Sequence, residues 1–306
     1  SYNNDIIFKV DKIIKKSNNI NIAILKGIDI RIEADAQIED LKLVSKNEKQ
    51  NLDIEFKKRI RNSTSKNNCD ERLNGIIKTG KILHLDGDKK YAGKSEMYYK
   101  KMGLNAIVKN IPENKQSKMV KQLLMIYNPD ILVITGHDGM IKSGTGYNDI
   151  YNYRNSKYFI NAVKQARENK NIKRDLVIFA GACQSFYEEL INAGANFASS
   201  PARILIDFMD PLIVAERVAT TDYDKYLTIK DIEKISLEIL KDSKSLDIFP
   251  TPIDKIVSYV DLTVSSNVDI SQIHEGYKSK YPDALLRALG KIRGLLVRKE
   301  KKFILI

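Results

Sequence analysis

Two side chains in this sequence are of the types that make a nucleophile and its base, and they close matching motifs. In DILVITGHDG an apolar run ends in Gly136, His137, Asp138 and Gly139; in DLVIFAGACQS another ends in Gly181, Ala182 and Cys183. Each run reads as a buried strand that starts at an aspartate and stops in a small-residue turn. Neighbouring strands lie about 4.8 Å apart, so side chains just past two adjacent strand ends can meet. A thiol and an imidazole so placed form the nucleophile and base of covalent catalysis. Taken singly, Cys183 reads as a small hydrophobe in a core and His137 as a satisfied polar residue. The joint pattern carries the catalytic reading.

The surrounding residues fit such a site. Ser185 and Glu188 have capping-box spacing, which predicts a helix starting two residues after the cysteine. A thiol at a helix N-terminus beside an imidazolium has a lowered pKa. The backbone N–H of Cys183 and one from the turn after His137, either Asp138 or Gly139, are candidate donors to an oxyanion. Gly136, Gly139, Gly181 and Ala182 leave room for a substrate backbone. Ser199 and Ser200 are candidates to bind it, although Ser before Pro also begins helices. His84 alternates with Leu83 and Leu85 and reads as core. The run Lys142 to Gly146 lacks the phosphate-loop pattern and reads as a flap over the cleft.

The elements that position these residues form an α/β domain. Strands in KILHLDGD, AIVKNI, DILVITGHDG and DLVIFAGACQS alternate with helices over Ser95–Met102, Glu113–Tyr127 and Ser156–Glu168. A short helix and a strand in ANFASS follow Ser185. Continuous apolar strands between amphipathic helices predict a mostly parallel sheet with helices on both faces. The His137 and Cys183 strands are separated by one helix, which makes them neighbours, both open at the carboxyl edge of the sheet. Residues 1–45 read as a small β unit of SH3-like barrel type. Within it Ile28–Asp35 alternates as a half-exposed strand, the segment NDIIFKVDKII supplies another, and Lys15–Asn21 turns between them. Residues 46–75, rich in Asn, Ser and Lys, read as a polar linker, leaving 76–306 as the catalytic domain.

The motifs LHLDGD, DILVITGHDG, YRNSKYFINAVKQAR, LVIFAGACQS and GANFASSPAR together resemble the YabG family of sporulation-specific cysteine proteases, over about residues 80–215. AILKGIDIRIEADAQIEDL is similar to that family's N-terminal region. The layout is more distantly similar to caspase- and clostripain-like peptidases, whose histidine lies about 50 residues before the cysteine; here 46 positions separate the two. The resemblance implies a His137–Cys183 dyad and a peptidase of spore coat and cortex-associated proteins in the mother-cell cytoplasm or at the coat. It also implies a specificity pocket at the end of the first strand, where Asp86 or Asp88 would pair with a substrate arginine. Asp-Gly is also turn chemistry, a role open to at least one of the two. An arginine-directed protease would cut itself at Arg59, Arg61 or Arg72 in the linker.

Bulk properties narrow the classes. The 306 residues carry 51 Lys and Arg against 39 Asp and Glu, a net charge of +12. Much of the excess falls in 278–302, around an apolar series at helical spacing. It reads as the solvated face of a basic C-terminal helix in preference to a nucleic-acid site. Two distant cysteines give neither a disulfide framework nor a zinc pattern, so no metal or cofactor is expected. No apolar run is long enough to span a membrane, and the N-terminus lacks signal-peptide layout. The competing readings are an amidotransferase-like thiol hydrolase, which usually carries its histidine after the cysteine, and a non-enzymatic scaffold for acidic coat proteins or nucleic acid.

Overall fold

The computed structural model describes residues 6–16, 20–66, 78–141, 146–168, 176–200, 203 and 205–221. The basic segment 278–302, His274, Cys69, Arg72 and residues 142–145 of the glycine-rich run lie outside them.

Three strands open the fold. β1 (Phe8–Lys15), β2 (Asn21–Gly27) and β3 (Glu33–Gln37) form an antiparallel sheet in that order. β2 is central and buries Ala23, Ile24 and Leu25, whereas β1 is an exposed edge with Val10, Ile13 and Ile14 open to solvent. The alternation over Ile28–Asp35 does not become one strand. β2 ends at Gly27, β3 begins at Glu33, and the connection turns Arg31 and Ile32 fully inward. Periodicity marks alternate faces, and here the burying face belongs to another part of the protein. Residues Lys46–Lys66, expected to be irregular, form helix α1. Its first turn is closed by Ser45 and Glu48, each accepting from the other's backbone N–H.

The second sheet has five parallel strands in the order β5-β4-β6-β7-β8: β4 (Ile82–Asp86), β5 (Ala106–Asn110), β6 (Ile131–Thr135), β7 (Val177–Ala180) and β8 (Phe197–Ala198). β4, β6 and β7 are buried throughout, as continuous apolar runs require when both faces are covered. On one face Leu83, Leu85, Leu132, Ile134 and Ile178 pack on α3 (Glu113–Tyr127) and α4 (Ser156–Arg167) through Val120, Leu124, Phe159 and Val163. The other face carries α2 (Lys89–Lys101) and α6 (Asp210–Thr220), tied by a 2.5 Å hydrogen bond from the Tyr98 hydroxyl to Glu216. A short α5 (Tyr187–Asn192) leads to β8.

The register fixes the site. Asp86 is level with Thr135, and Ile134 with Ala180, so β4, β6 and β7 end together. The chain leaves β4 toward β5 on one side and returns to β6 on the other. Ligand sites of open parallel sheets lie at that reversal, beyond the carboxyl ends.

Candidate active site

The turn after β6 carries His137 and the turn after β7 carries Cys183, as the neighbouring-strand reading required. Both residues are fully buried. His137 Nε2 lies 3.1 Å from the Gly27 carbonyl. A carbonyl only accepts, so Nε2 carries the proton and Nδ1 is the bare nitrogen. Nδ1 has no hydrogen-bond partner among the described residues. The Tyr91 ring stacks on the imidazole at 5.0 Å, and the His137 backbone N–H donates to Glu113 Oε1 at 2.9 Å. Burial holds the imidazole neutral, lowering its pKa to about 4.

Glu113 escaped the sequence reading because its role depends on a close approach. A Cβ on Gly136 would lie 2.4 Å from Glu113 Oε1, so the carboxyl reaches the His137 amide only over a glycine. Gly136 therefore makes room for Glu113 and not for substrate.

Cys183 Sγ accepts from the Ile206 N–H at 3.2 Å and faces the Ile206 carbonyl at 3.5 Å. Burial pushes the thiol well above the usual range, opposite to the expected lowering. The expected helix cap is also absent. α5 starts at Tyr187 with Phe186 as its cap residue and no side-chain cap bond. Ser185 Oγ instead accepts from the Ala182 N–H at 2.9 Å and donates to Asp138 at 2.8 Å, while Glu188 pairs with Arg203 at 2.5 Å. Ser199 donates to the Ala182 carbonyl at 3.1 Å, and Ser200 Oγ accepts from the Gln184 N–H at 2.9 Å. These hydroxyls brace the loop that carries Cys183.

Asp138 divides its labour between side chain and backbone. Its carboxyl accepts from Ser156 and Ser185 hydroxyls and from the N–H groups of Gly139 and Asn155, at 2.5 to 2.9 Å. Burial raises its pKa to about 6 against those four donors. Because Gly139 N–H is used in this knot, the free donor of the turn is the Asp138 N–H. It points, at 3.2 Å, to the Arg31 carbonyl oxygen. The Cys183 N–H points to the same oxygen, also at 3.2 Å.

The two aspartates ending the first strand of the large sheet take different jobs. Asp88 caps α2, accepting from the N–H groups of Lys90 and Tyr91. Asp86 is fully buried and accepts from Arg31 Nη1 at 2.9 Å, from Thr135 and from the Asp88 N–H. The guanidinium lies over the rings of Tyr91 (4.7 Å) and Phe208 (5.4 Å). Burial alone would raise the Asp86 pKa, but Arg31 and His84 overrule it and hold the carboxyl well below its ordinary value. His84, bonded to Tyr99 and Thr135, lies beside the carboxylate, with Nε2 3.5 Å from Asp86 Oδ2. Among the described residues no cluster of His, Cys, Asp or Glu could hold a metal ion, and no helix is long and apolar enough to cross a membrane.

The carboxyl edge of this parallel α/β sheet thus carries a thiol, an imidazole and two amides that converge on one carbonyl oxygen. Residues 1–241 match the family described as YabG peptidase U57. The chain is also 36% identical, over 256 residues, to the sporulation-specific protease YabG of Bacillus subtilis (strain 168), covering 78% of this chain and 88% of that protein. No solved structure matches. The chain belongs to the YabG family of peptidases.

Proposed function

We propose that this chain is a cysteine endopeptidase that cleaves after arginine, with Cys183 as nucleophile and His137 as base and acid. The observation that carries the reading is the pair of amides, Asp138 and Cys183, aimed at one carbonyl whose arginine side chain reaches Asp86. His137 Nδ1 takes the thiol proton, and sulfur attacks the carbonyl carbon of the arginine. The two N–H groups hold the resulting oxyanion. The C–N bond then breaks, the amine leaves with the proton from His137, and an arginyl thioester remains. Water, deprotonated by the same nitrogen, hydrolyses it and returns the thiol.

Asp86 sets the preference for arginine through a buried, ring-flanked carboxylate. Asp88 serves it indirectly by capping α2. Ser199 and Ser200 support the nucleophile loop in preference to binding substrate. The mechanism and the strand order over Ile82–Ala198 favour a caspase-like arrangement of the peptidase sheet. By relation to the sporulation protease of B. subtilis, the substrates are proteins handled in sporulation, with coat and cortex-associated proteins the class implied by the family resemblance.

Cys183→Ala and His137→Ala proteins tested on an arginyl peptide settle the dyad. Each variant is expected to keep its circular dichroism spectrum and lose at least 1,000-fold in kcat/KM, the scale on which dyad members act together. Turnover within tenfold of the parent in either variant rejects the assignment.

A further inference from the structure

The cleft is filled by the chain's own connection between β2 and β3. Its residues make the contacts that a bound substrate needs, over a continuous run. The Asp29 carbonyl accepts from the Phe208 N–H at 3.1 Å, and Ile30 is bridged to Asp207 in antiparallel fashion. Arg31 presents its carbonyl to Asp138 and Cys183 and its guanidinium to Asp86. Ile32 packs against Cys183 and Ile206 and is bridged to Asp138, whose carbonyl accepts from the Glu33 N–H at 2.7 Å. Two features coincide on Arg31, the pair of amides at its carbonyl and the Asp86 carboxylate at its side chain, and the residue on the other side of the bond, Ile32, packs against Cys183.

We propose that the Arg31–Ile32 bond is this peptidase's own first substrate, and that the intact connection plugs the cleft until Cys183 cuts it. The inference rests on the dyad reading above. Sulfur bonds to the Arg31 carbonyl carbon, the bond to Ile32 nitrogen breaks, and that nitrogen leaves as an amine with the proton from His137. One water then hydrolyses the thioester to the Arg31 carboxylate and regenerates the thiol, with no redox change.

The flanking ladder explains why the plug is held so firmly. β2 and β3 pair from Ile22–Gln37 to Lys26–Glu33, and the Gly27 N–H bonds the Ile32 carbonyl at 3.0 Å. The Ile32 N–H turns back to Ile30 at 2.8 Å, and the Tyr91 hydroxyl bonds the Gly27 and Ile30 carbonyls. Both sides of the bond are thus tied to each other as well as to the cleft. The cut ends stay paired, and the N-terminal piece leaves only when the ladder opens. A site on its own chain is reached without diffusion, so this cut precedes any cut in trans.

Intact mass and N-terminal sequencing of the full chain test the proposal. The active protein is expected to acquire the new N-terminus Ile32-Glu33-Ala34-Asp35, at a rate unchanged by tenfold dilution, while Cys183→Ala stays whole at this bond. The plug is tested separately on uncut proteins. An arginine-containing peptide is expected to bind Cys183→Ala/Arg31→Ala at least tenfold more tightly than Cys183→Ala, because the occupied fraction no longer reduces affinity. Should Arg31→Ala disturb folding, Arg31→Lys provides the same comparison with the charge retained, at a smaller expected gain. An active enzyme with Arg31–Ile32 intact, or one cut only after Arg59 or Arg61, overturns the proposal and leaves the proposed function standing. Equal peptide affinity in the two uncut proteins overturns the plug. Failure to hydrolyse any arginyl peptide overturns both readings.

Discussion

The backbone amides of Asp138 and Cys183, 45 positions apart in sequence, converge on one oxygen, the carbonyl of Arg31, each from 3.2 Å. The guanidinium of the same residue is buried against Asp86, and the next residue, Ile32, packs against Cys183. Asp138 reaches this position because its side chain is locked elsewhere. Its carboxyl ties the His137 turn to the start of α4 through Ser156 and Asn155, and to the Cys183 loop through Ser185. The residue directly after the histidine, and not the glycine beyond it, supplies the second N–H to the Arg31 carbonyl.

Asp86 and Asp88 separate cleanly in their expected effects. Removing one partner of a buried ion pair costs about 3–5 kcal/mol, because the other charge is left unpaired. At about 1.4 kcal/mol per tenfold, Asp86→Asn should lower kcat/KM for arginyl peptides by two to three orders of magnitude, with little change for a leucyl peptide. Asp88→Asn keeps a capping oxygen and should lower stability by under about 1 kcal/mol without moving the arginine-to-leucine ratio. Steady-state kinetics on the paired peptides checks both; an unchanged ratio in Asp86→Asn rejects the pocket.

The titration of His137 reports whether the cleft is covered. In uncut Cys183→Ala protein, burial should keep the imidazole neutral down to about pH 4, against 6.5 for a free histidine. Arg31→Ala removes a neighbouring positive charge as well as opening the cleft to water, and should move that value upward. Arg31→Lys keeps the charge and isolates the effect of water; both are read from the imidazole carbon shifts by NMR. Since the folded pKa is the lower one, the histidine's contribution to stability is full above pH 6.5. It falls away as pH drops toward 4. An imidazole that titrates near 6.5 in the uncut protein contradicts this account.

Much of this site was legible because strand periodicity and small-residue turns are local signals. The His137 and Cys183 strands, their adjacency and the common edge follow from apolar runs separated by one helix. The role of Arg31 is not local. Its partner Asp86 lies 55 positions away, and an alternating Ile28–Asp35 gives no sign that the chain turns into a second sheet's cleft. Glu113 was hidden for the same reason, since only the packed fold brings it over Gly136. Ser185 misled because its spacing to Glu188 suits a cap, yet a buried carboxyl and a tight loop compete for the hydroxyl and win.

Asp138 titrates with the opposite sign to His137. Its folded pKa is raised to about 6 from 3.8, so its contribution is full below pH 3.8 and is lost as pH rises through 6. The two slopes overlap and partly cancel between pH 4 and 6. Asp138→Asn should remove one of them while keeping an acceptor for Gly139 and Asn155, leaving a protein whose stability climbs more steeply from pH 4 to 6. Asp138→Ala strands four donors and should cost about 3 kcal/mol or more, on the scale of 1–3 kcal/mol for each unsatisfied buried group. Denaturant unfolding of Cys183→Ala backgrounds at pH 4, 5, 6 and 7 measures both. Identical pH slopes with Asp or Asn at this position would rule out the titration.

Gly139 tests how the chain beyond the cut bond is held. A Cβ there would lie 2.2 Å from the Glu33 carbonyl oxygen, a backbone atom with little freedom to move. Glu33 is the second residue after Arg31, so Gly139→Ala obstructs only a substrate that extends that far past its arginine. Arginyl amide reporters that end at the leaving group should retain kcat/KM within about twofold. Peptides with three residues after the arginine should lose about tenfold or more, mostly through KM, since a clash of this kind weakens binding before and during reaction alike. Self-cleavage at Arg31–Ile32 should slow in parallel with the longer peptides. Equal loss on short and long substrates would mean that the substitution distorts the His137 turn itself, and that the main-chain path past Gly139 is not the one Glu33 follows.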